Sequence, residues 1–331
     1  DTTDPVTATF GTNFNFDAIQ EISFQTGGFE AEYGRATGGV VNLVTKSGGN
    51  DFSGTLDVRF RNQDFYQSGD HFDTDTYKVK YLDPSVTFGG PIIRDKVWFF
   101  LSGEYVDSQN TPSEAPSTRK YVGQNYIGKA TWQLNPSWRL VGKISGDPAD
   151  IDNANTSSLR DVEANRFQTQ GGDIYQADLA GILSPQLLWN LQVGINRSSL
   201  DSYPQSGDLD TIGHVNDDTG RSSGNYTNAQ YSQRDRDEYK TNLTWFVDNL
   251  GGSHEFKGGV EYAKLFFSSR NFYTGGGYYE DLTVNPPDDL TPIPYVFWAQ
   301  ADAGTSEFDG TLQTAFLQDA WKVMPNLTIK F

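Results

Sequence analysis

The sequence predicts an all-β chain, an antiparallel wall of strands entered from a compact glycine-rich N-terminal element. Three observations predict it. From Phe52 onward, apolar and polar residues alternate in segment after segment, the two-residue period of a strand with one apolar and one polar face. The connections alternate short and long without exception, and three short ones have the form x-Pro-x: Asn135-Pro136-Ser137, Ser184-Pro185-Gln186 and Met324-Pro325-Asn326. Aromatic residues make up 14% of the chain, enough to furnish interfacial girdles. A soluble sandwich has no reason to gather every long loop at one end. A transmembrane barrel with short periplasmic turns and long extracellular loops does.

The elements follow in order. Residues 1–18 are polar, with Phe10, Phe14 and Phe16 alternating in a Thr/Asn background. Ile19–Gln25 reads as a short strand. Gly39–Lys46 reads as a second, apolar at Val40, Val41, Leu43 and Val44, so that both of its faces are expected to be buried. Gly34, Gly38 and Gly39 permit the turns between them, and Ser47-Gly48-Gly49-Asn50 breaks the pattern.

The alternating strands then run at about 51–61, 78–89, 96–106, 121–134, 138–145, 171–183, 187–199, 235–247, 254–269 and 311–323, with an eleventh starting at Leu327. Gly89-Gly90-Pro91 reads as a tight break after the second. The long connections are 62–77, 107–120, 146–170, 201–234 and 270–310. On this register Trp132 and Leu191 face lipid, while Thr131 and Gln192 face the lumen.

Particular stretches carry a resemblance. The run AEYGRATGGVVNLVTKSG (Ala31–Gly48) resembles the end of the plug domain of TonB-dependent outer-membrane receptors, and FSGTLDVRF after it resembles their first barrel strand. FGGPIIRDKVWFFLSGEY (Phe88–Tyr105) and FLQDAWKVMPNLTIKF (Phe316–Phe331) resemble the large Oar-like branch, whose members often carry a carboxypeptidase-regulatory-like domain. The resemblance implies a plug signature at Glu32, Tyr33, Gly34, Arg35, Gly38, Gly39, Asn42, Thr45 and Lys46. It also implies two regions: residues 1–50 as the C-terminal part of a plug, and residues 51–331 as the N-terminal half of a barrel of about 22 strands. Half a barrel leaves strand edges that lipid cannot satisfy, so the chain is expected to be part of a longer one. The implied function is energy-coupled import of a scarce ligand (siderophore, oligosaccharide or peptide) through the outer membrane of a Gram-negative bacterium. The partner would be a TonB-type complex engaging a segment ahead of residue 1. A passive porin, a surface-adhesion barrel and a soluble all-β binding module are the alternatives.

Composition narrows the function classes. A net charge of −18, from 43 acidic against 25 basic residues, disfavours a nucleic-acid partner, which wants a basic face. With no cysteine, disulfides and thiolate metal sites are excluded. His71, His214 and His254 lie on separate segments without ligand spacing, and there is no phosphate loop, nucleophile elbow or zinc-protease motif. The chain therefore does not read as an enzyme.

Two loops offer candidate contacts. Asp147, Asp150 and Asp152 share one acidic loop; Asp201, Asp208, Asp210, Asp217 and Asp218 share another. Carboxylates gathered in this way can hold calcium through six to eight oxygens, with Asp208, Asp210, Asp217 and Asp218 the candidate ligands, although a solvated acidic loop is the plainer reading. The 270–310 stretch is the candidate substrate loop. It carries Phe272, Tyr273, Tyr278, Tyr279, Tyr295, Phe297 and Trp298, stiffened by Pro286, Pro287, Pro292 and Pro294. Aromatic faces held on such a loop suit sugars, aromatic chelators or peptides. The alternative is a loop packed on its own aromatics.

Overall fold

The computed structural model describes residues 12–33, 39–65, 78–248, 250–283, 292–300 and 304–331. Strands dominate it, and among the described residues no helix is long and apolar enough to cross a membrane. Two strands, β1 (Ile19–Gln25) and β2 (Val40–Thr45), form a small antiparallel sheet of their own. The wall is a 12-stranded antiparallel sheet. It runs in chain order through β3 (Ser53–Asn62), β4 (Lys78–Ile93), β5 (Val97–Thr111), β6 (Arg119–Asn135), β7 (Trp138–Gly146), β9 (Arg166–Ser184) and β10 (Leu187–Pro204). It continues through β13 (Asn228–Val247), β14 (Ser253–Tyr273), β17 (Thr305–Met324) and β18 (Leu327–Lys330), while β8 (Ala149–Asp152) bridges the far ends of β6 and β9.

Register shows why the alternation matters. Leu191 lies opposite Thr241, Thr241 opposite Val260, and Val260 opposite Ala315, so these residues share one face. Leu56, Val86, Leu101, Val260 and Leu317 are each at least half exposed, or nearly so, on that face. A contiguous exposed apolar row of this kind is a surface for something other than water. Aromatic clusters line it near the short turns: Phe52 with Phe88 and Phe99, Trp138 with Trp189, and Trp245 with Phe256. Tyr239 and Tyr262 pair on the same face toward the long loops. Trp132 lies opposite Val97 and Leu140 in this outward row, while Thr131 and Gln192 belong to the opposite, inner rows.

The structure corrects several sequence expectations. The second wall strand does not break at Gly89-Gly90-Pro91 but runs on to Ile93. Those glycines serve close packing instead: a Cβ on Gly90 would collide with the Phe52 ring, and one on Gly48 with the Phe99 carbonyl. The strands also outrun their apolar stretches. β5 and β6 continue to Thr111 and back from Arg119, because ladder hydrogen bonds extend the pairing after side-chain alternation has faded. The 146–170, 201–234 and 270–310 connections likewise carry strand of their own. Finally, among the described residues β2 pairs only with β1, and within this chain Val44 is exposed rather than buried.

Candidate functional site

Two constructions on this frame bring chemistry together. The first is the contact between residues 12–48 and the inner face of the wall. Phe16–Ala18 forms a single 3-10 turn capped by Asn15, whose side-chain oxygen accepts from the Asp17 N–H. Buried Asn15 turns its amide toward the wall and donates to Ser102 Oγ at 2.9 Å. Ala18 is buried against Phe100 and Ile127, with Phe14 alongside. Asp17 accepts from Ser85 at 2.5 Å and lies 3.4 Å from Arg59, which also contacts Asp57 and Asp83. The Asn13 N–H and side-chain amide both donate to Asp147.

On β2, the Thr45 carbonyl accepts from Lys129 Nζ at 3.1 Å, and the Lys46 N–H closes onto Ala18. Across the wall, Glu32 meets Lys257 at 2.6 Å, while Glu30 meets Lys330 at 2.6 Å and Gln318 at 3.2 Å. The Lys330 ammonium holds the Glu30 carboxyl below its ordinary value, against an opposing push from burial. Of the signature residues, Tyr33 accepts a bond from Asn42, and Gly39 leads into β2. Gly34, Arg35 and Gly38 lie outside the described residues.

The second construction is a four-stranded sheet over the long-loop end, made of β11 (Gly213–Asn216), β12 (Ser222–Ser223), β15 (Gly277–Thr283) and β16 (Pro292–Ala299). We call it the canopy. Gly275 and Gly276 adopt left-handed φ angles of 61° and 77°, which turn the chain from β14 into β15 at a point where a side chain on Gly275 would strike Ile212. β15 then pairs in parallel with β11 from the other loop. Buried Asn225 ties the 201–234 loop to itself, its amide donating to the Asp208 and Thr211 carbonyls, and Thr274 joins the two loops by donating to the Tyr226 carbonyl.

This pairing sets the canopy's aromatic stack. Register places His214 beside Tyr279 and Tyr279 beside Phe297, with ring centroids 5.1 and 4.8 Å apart. His214 Nδ1 lies 3.1 Å from both oxygens of buried Asp281. Tyr273 and Tyr278 meet edge to face. Phe272, by contrast, sits on the outer wall beside Tyr231 with Arg270 over its ring, apart from the canopy residues. Tyr295, Phe297 and Trp298 on β16 remain 48, 44 and 49% exposed. The Tyr295 hydroxyl donates to Asp217, and this bond pushes its phenol up to about 12.

Of the acidic residues named for calcium, Asp208, Asp217 and Asp218 engage separate partners. Asp208 caps its own turn through Thr211 and the Asp210 N–H, Asp217 receives Tyr295, and Asp218 receives the Thr283 N–H. Among the described residues no three acidic or histidine side chains converge on a metal position. His71 lies outside the described residues, and His254 stacks between Phe256 and Trp321 on the wall. Sequence reasoning missed His214 with Asp281 and Lys129 with Thr45. The signal in each case is a contact between distant segments.

Comparison with known proteins places this geometry. The family model for the outer membrane beta barrel domain matches residues 44–119 and 107–331, and the chain belongs to that family. It is 22% identical to the TonB-dependent transporter Oar of Myxococcus xanthus over 99% of this chain and 40% of that protein. The outer membrane transporter YddB from Escherichia coli superposes with a TM-score of 0.69 at 16% identity, over 99% of this chain and 45% of YddB. The siderophore receptor PirA from Acinetobacter baumannii gives 0.64 at 16% identity, over 93% of this chain and 42% of PirA. The chain thus spans less than half the length of these relatives. It has the antiparallel architecture of the TonB-dependent receptor barrels, and its place is the Gram-negative outer membrane.

Proposed function

We propose that the chain joins the end of a plug (residues 1–50) to the first half of the wall (residues 51–331) of a TonB-dependent outer-membrane importer. One observation carries the reading: a segment preceding the wall is docked on its inner, polar face, while the outer face is an apolar row edged with aromatics. A pore filled from within passes little by diffusion, and the outer membrane sustains no useful potential. A charge crossing an energised inner membrane yields about 2.3 kcal/mol per 100 mV, so opening the filled wall calls for mechanical coupling to that membrane. The names of the relatives, a TonB-dependent transporter and a siderophore receptor, support the same reading. The ligand is a siderophore, an oligosaccharide or a peptide, met first by the aromatics of β15 and β16. A transporter in this role catalyses no bond chemistry.

The test is radiolabelled uptake in cells with and without an energised inner membrane. Deleting Tyr278–Trp298 is expected to leave insertion intact, because loops contribute little to the wall ladder, and to abolish uptake. Full energised uptake by the deletion variant removes the substrate-loop assignment. Energy-independent uptake by the unmutated protein removes the importer and favours a porin.

A further inference from the structure

The canopy sheet ends on β16. Among the described residues β16 pairs along one edge only, with β15. On the other edge no described residue pairs with it, and backbone groups so placed can recruit another strand. Pro292 and Pro294 mark the strand as an edge but offer no N–H, so the stretch open to pairing is Tyr295–Ala299. Ile293, Tyr295, Phe297 and Trp298 are all roughly half exposed and project to both faces.

The surrounding charge is one-sided. The described canopy stretches, residues 205–227, 274–283 and 292–300, contain Asp208, Asp210, Asp217, Asp218, Glu280 and Asp281 against Arg221 as their one arginine or lysine. Arg221 is itself paired with Asp161. Asp217 and Glu280 converge on the Tyr295 hydroxyl at the middle of β16.

We propose that β16 binds an extended cationic peptide, added as a further strand along its free edge. Backbone hydrogen bonds would hold the peptide, and its apolar side chains would lie against Tyr295, Phe297 and Trp298. Its lysine or arginine side chains would be drawn by the negative field of Glu280, one strand in from the edge, and Asp217, two strands in. This rests on the reading of the 270–310 stretch as the substrate loop and names the chemistry of what that loop takes. An anionic chelate would meet the same carboxylates as repulsion.

The experiment uses the full-length protein in detergent or nanodiscs and labelled octapeptides followed by fluorescence anisotropy. The parent probe alternates lysine and valine. Two derivatives carry N-methyl groups on one or the other alternate set of amides, because a strand added at an edge uses only one set. Binding is expected for the parent and for one methylated peptide, and loss of binding for the other. A glutamate–valine peptide and a neutral cello-oligosaccharide are expected not to bind. Asp217→Asn with Glu280→Gln should weaken the lysine peptide about tenfold, and raising salt from low to physiological strength should weaken it in the unmutated protein.

Equal binding of both methylated peptides overturns strand addition. Equal binding of the glutamate peptide, or binding of the oligosaccharide alone, overturns the charge argument. Sedimentation showing a dimer that Ile293→Lys dissociates, with no peptide bound, assigns the edge to a second copy and overturns the proposal. If deleting Tyr278–Trp298 abolishes uptake yet the lysine peptide fails to bind the intact protein, the substrate loop stands and the strand addition falls.

Discussion

The segment ahead of the wall is held at two places by different forces. At β4–β6 the contact is built mainly on area, Ala18 on Phe100 and Ile127, and on hydrogen bonds, Asn15 to Ser102, Ser85 to the Asp17 carboxylate and Lys129 to the Thr45 carbonyl, with the partly exposed Asp17–Arg59 ion pair beside them. At β14, β17 and β18 it is made of charge, with Glu32 on Lys257 and Glu30 on Lys330. Area buried from water is insensitive to salt and acid, whereas partly exposed ion pairs are screened by one and neutralised by the other. The two junctions therefore differ in what loosens them, and the β14–β18 side yields first in salt or acid.

The largest expected effect lies on the apolar side. Phe100→Ala should cost about 3–5 kcal/mol of docking, because it removes a buried ring and leaves a cavity beneath Ala18. Hydrogen exchange should rise at residues 13–18 and along β1. Unchanged protection there would mean that the charged junction alone holds the segment, breaking the comparison.

A smaller effect is expected at Lys257. Its loss leaves Glu32, only 11% exposed, without its cation, at a cost of about 1–3 kcal/mol. Lys257→Met should raise exchange at residues 30–33 while leaving residues 13–18 protected. A double-mutant cycle with Glu32→Gln should recover part of the loss. Uniform loosening along the segment would show that the junctions are not separable.

The smallest effect belongs to Glu30 and Lys330. Lys330 is 64% exposed, and such pairs contribute about 0–1 kcal/mol. Lys330 lowers the Glu30 carboxyl below its ordinary value of 4.5, so the folded state favours the ionised form. The stabilisation is present above that value and is lost as pH falls through the lowered folded one. Protection at residues 29–31 should decline in that acid window in the unmutated protein but not in Lys330→Ala. An identical pH profile in both would remove the pair from the account.

How far all this was legible in the sequence varies by region. The wall was, because a strand's two-residue period is imposed by local backbone sterics and each residue carries its own face with it. Leu191 and Gln192 could be assigned to opposite faces without knowing their neighbours, and the alternation of loop lengths ordered the strands. Glycines were read less well. Gly89 and Gly90 looked like a turn, and only the arrival of Phe52 and Gly48 shows that they make room for packing.

The canopy was not legible at all. The aromatic residues of the 270–310 stretch could be named, but not that β15 pairs in parallel with β11, bringing His214 to Asp281 across 67 residues. Nor could the sequence match Glu32 to Lys257, 225 residues apart. That Asp208, Asp217 and Asp218 each meet a different partner was likewise not readable from their closeness in sequence. Side-chain alternation is a local property and survives in the sequence. Contacts between loops depend on closing long stretches of chain and on which strand edges the wall leaves within reach, and only the tertiary structure decides them.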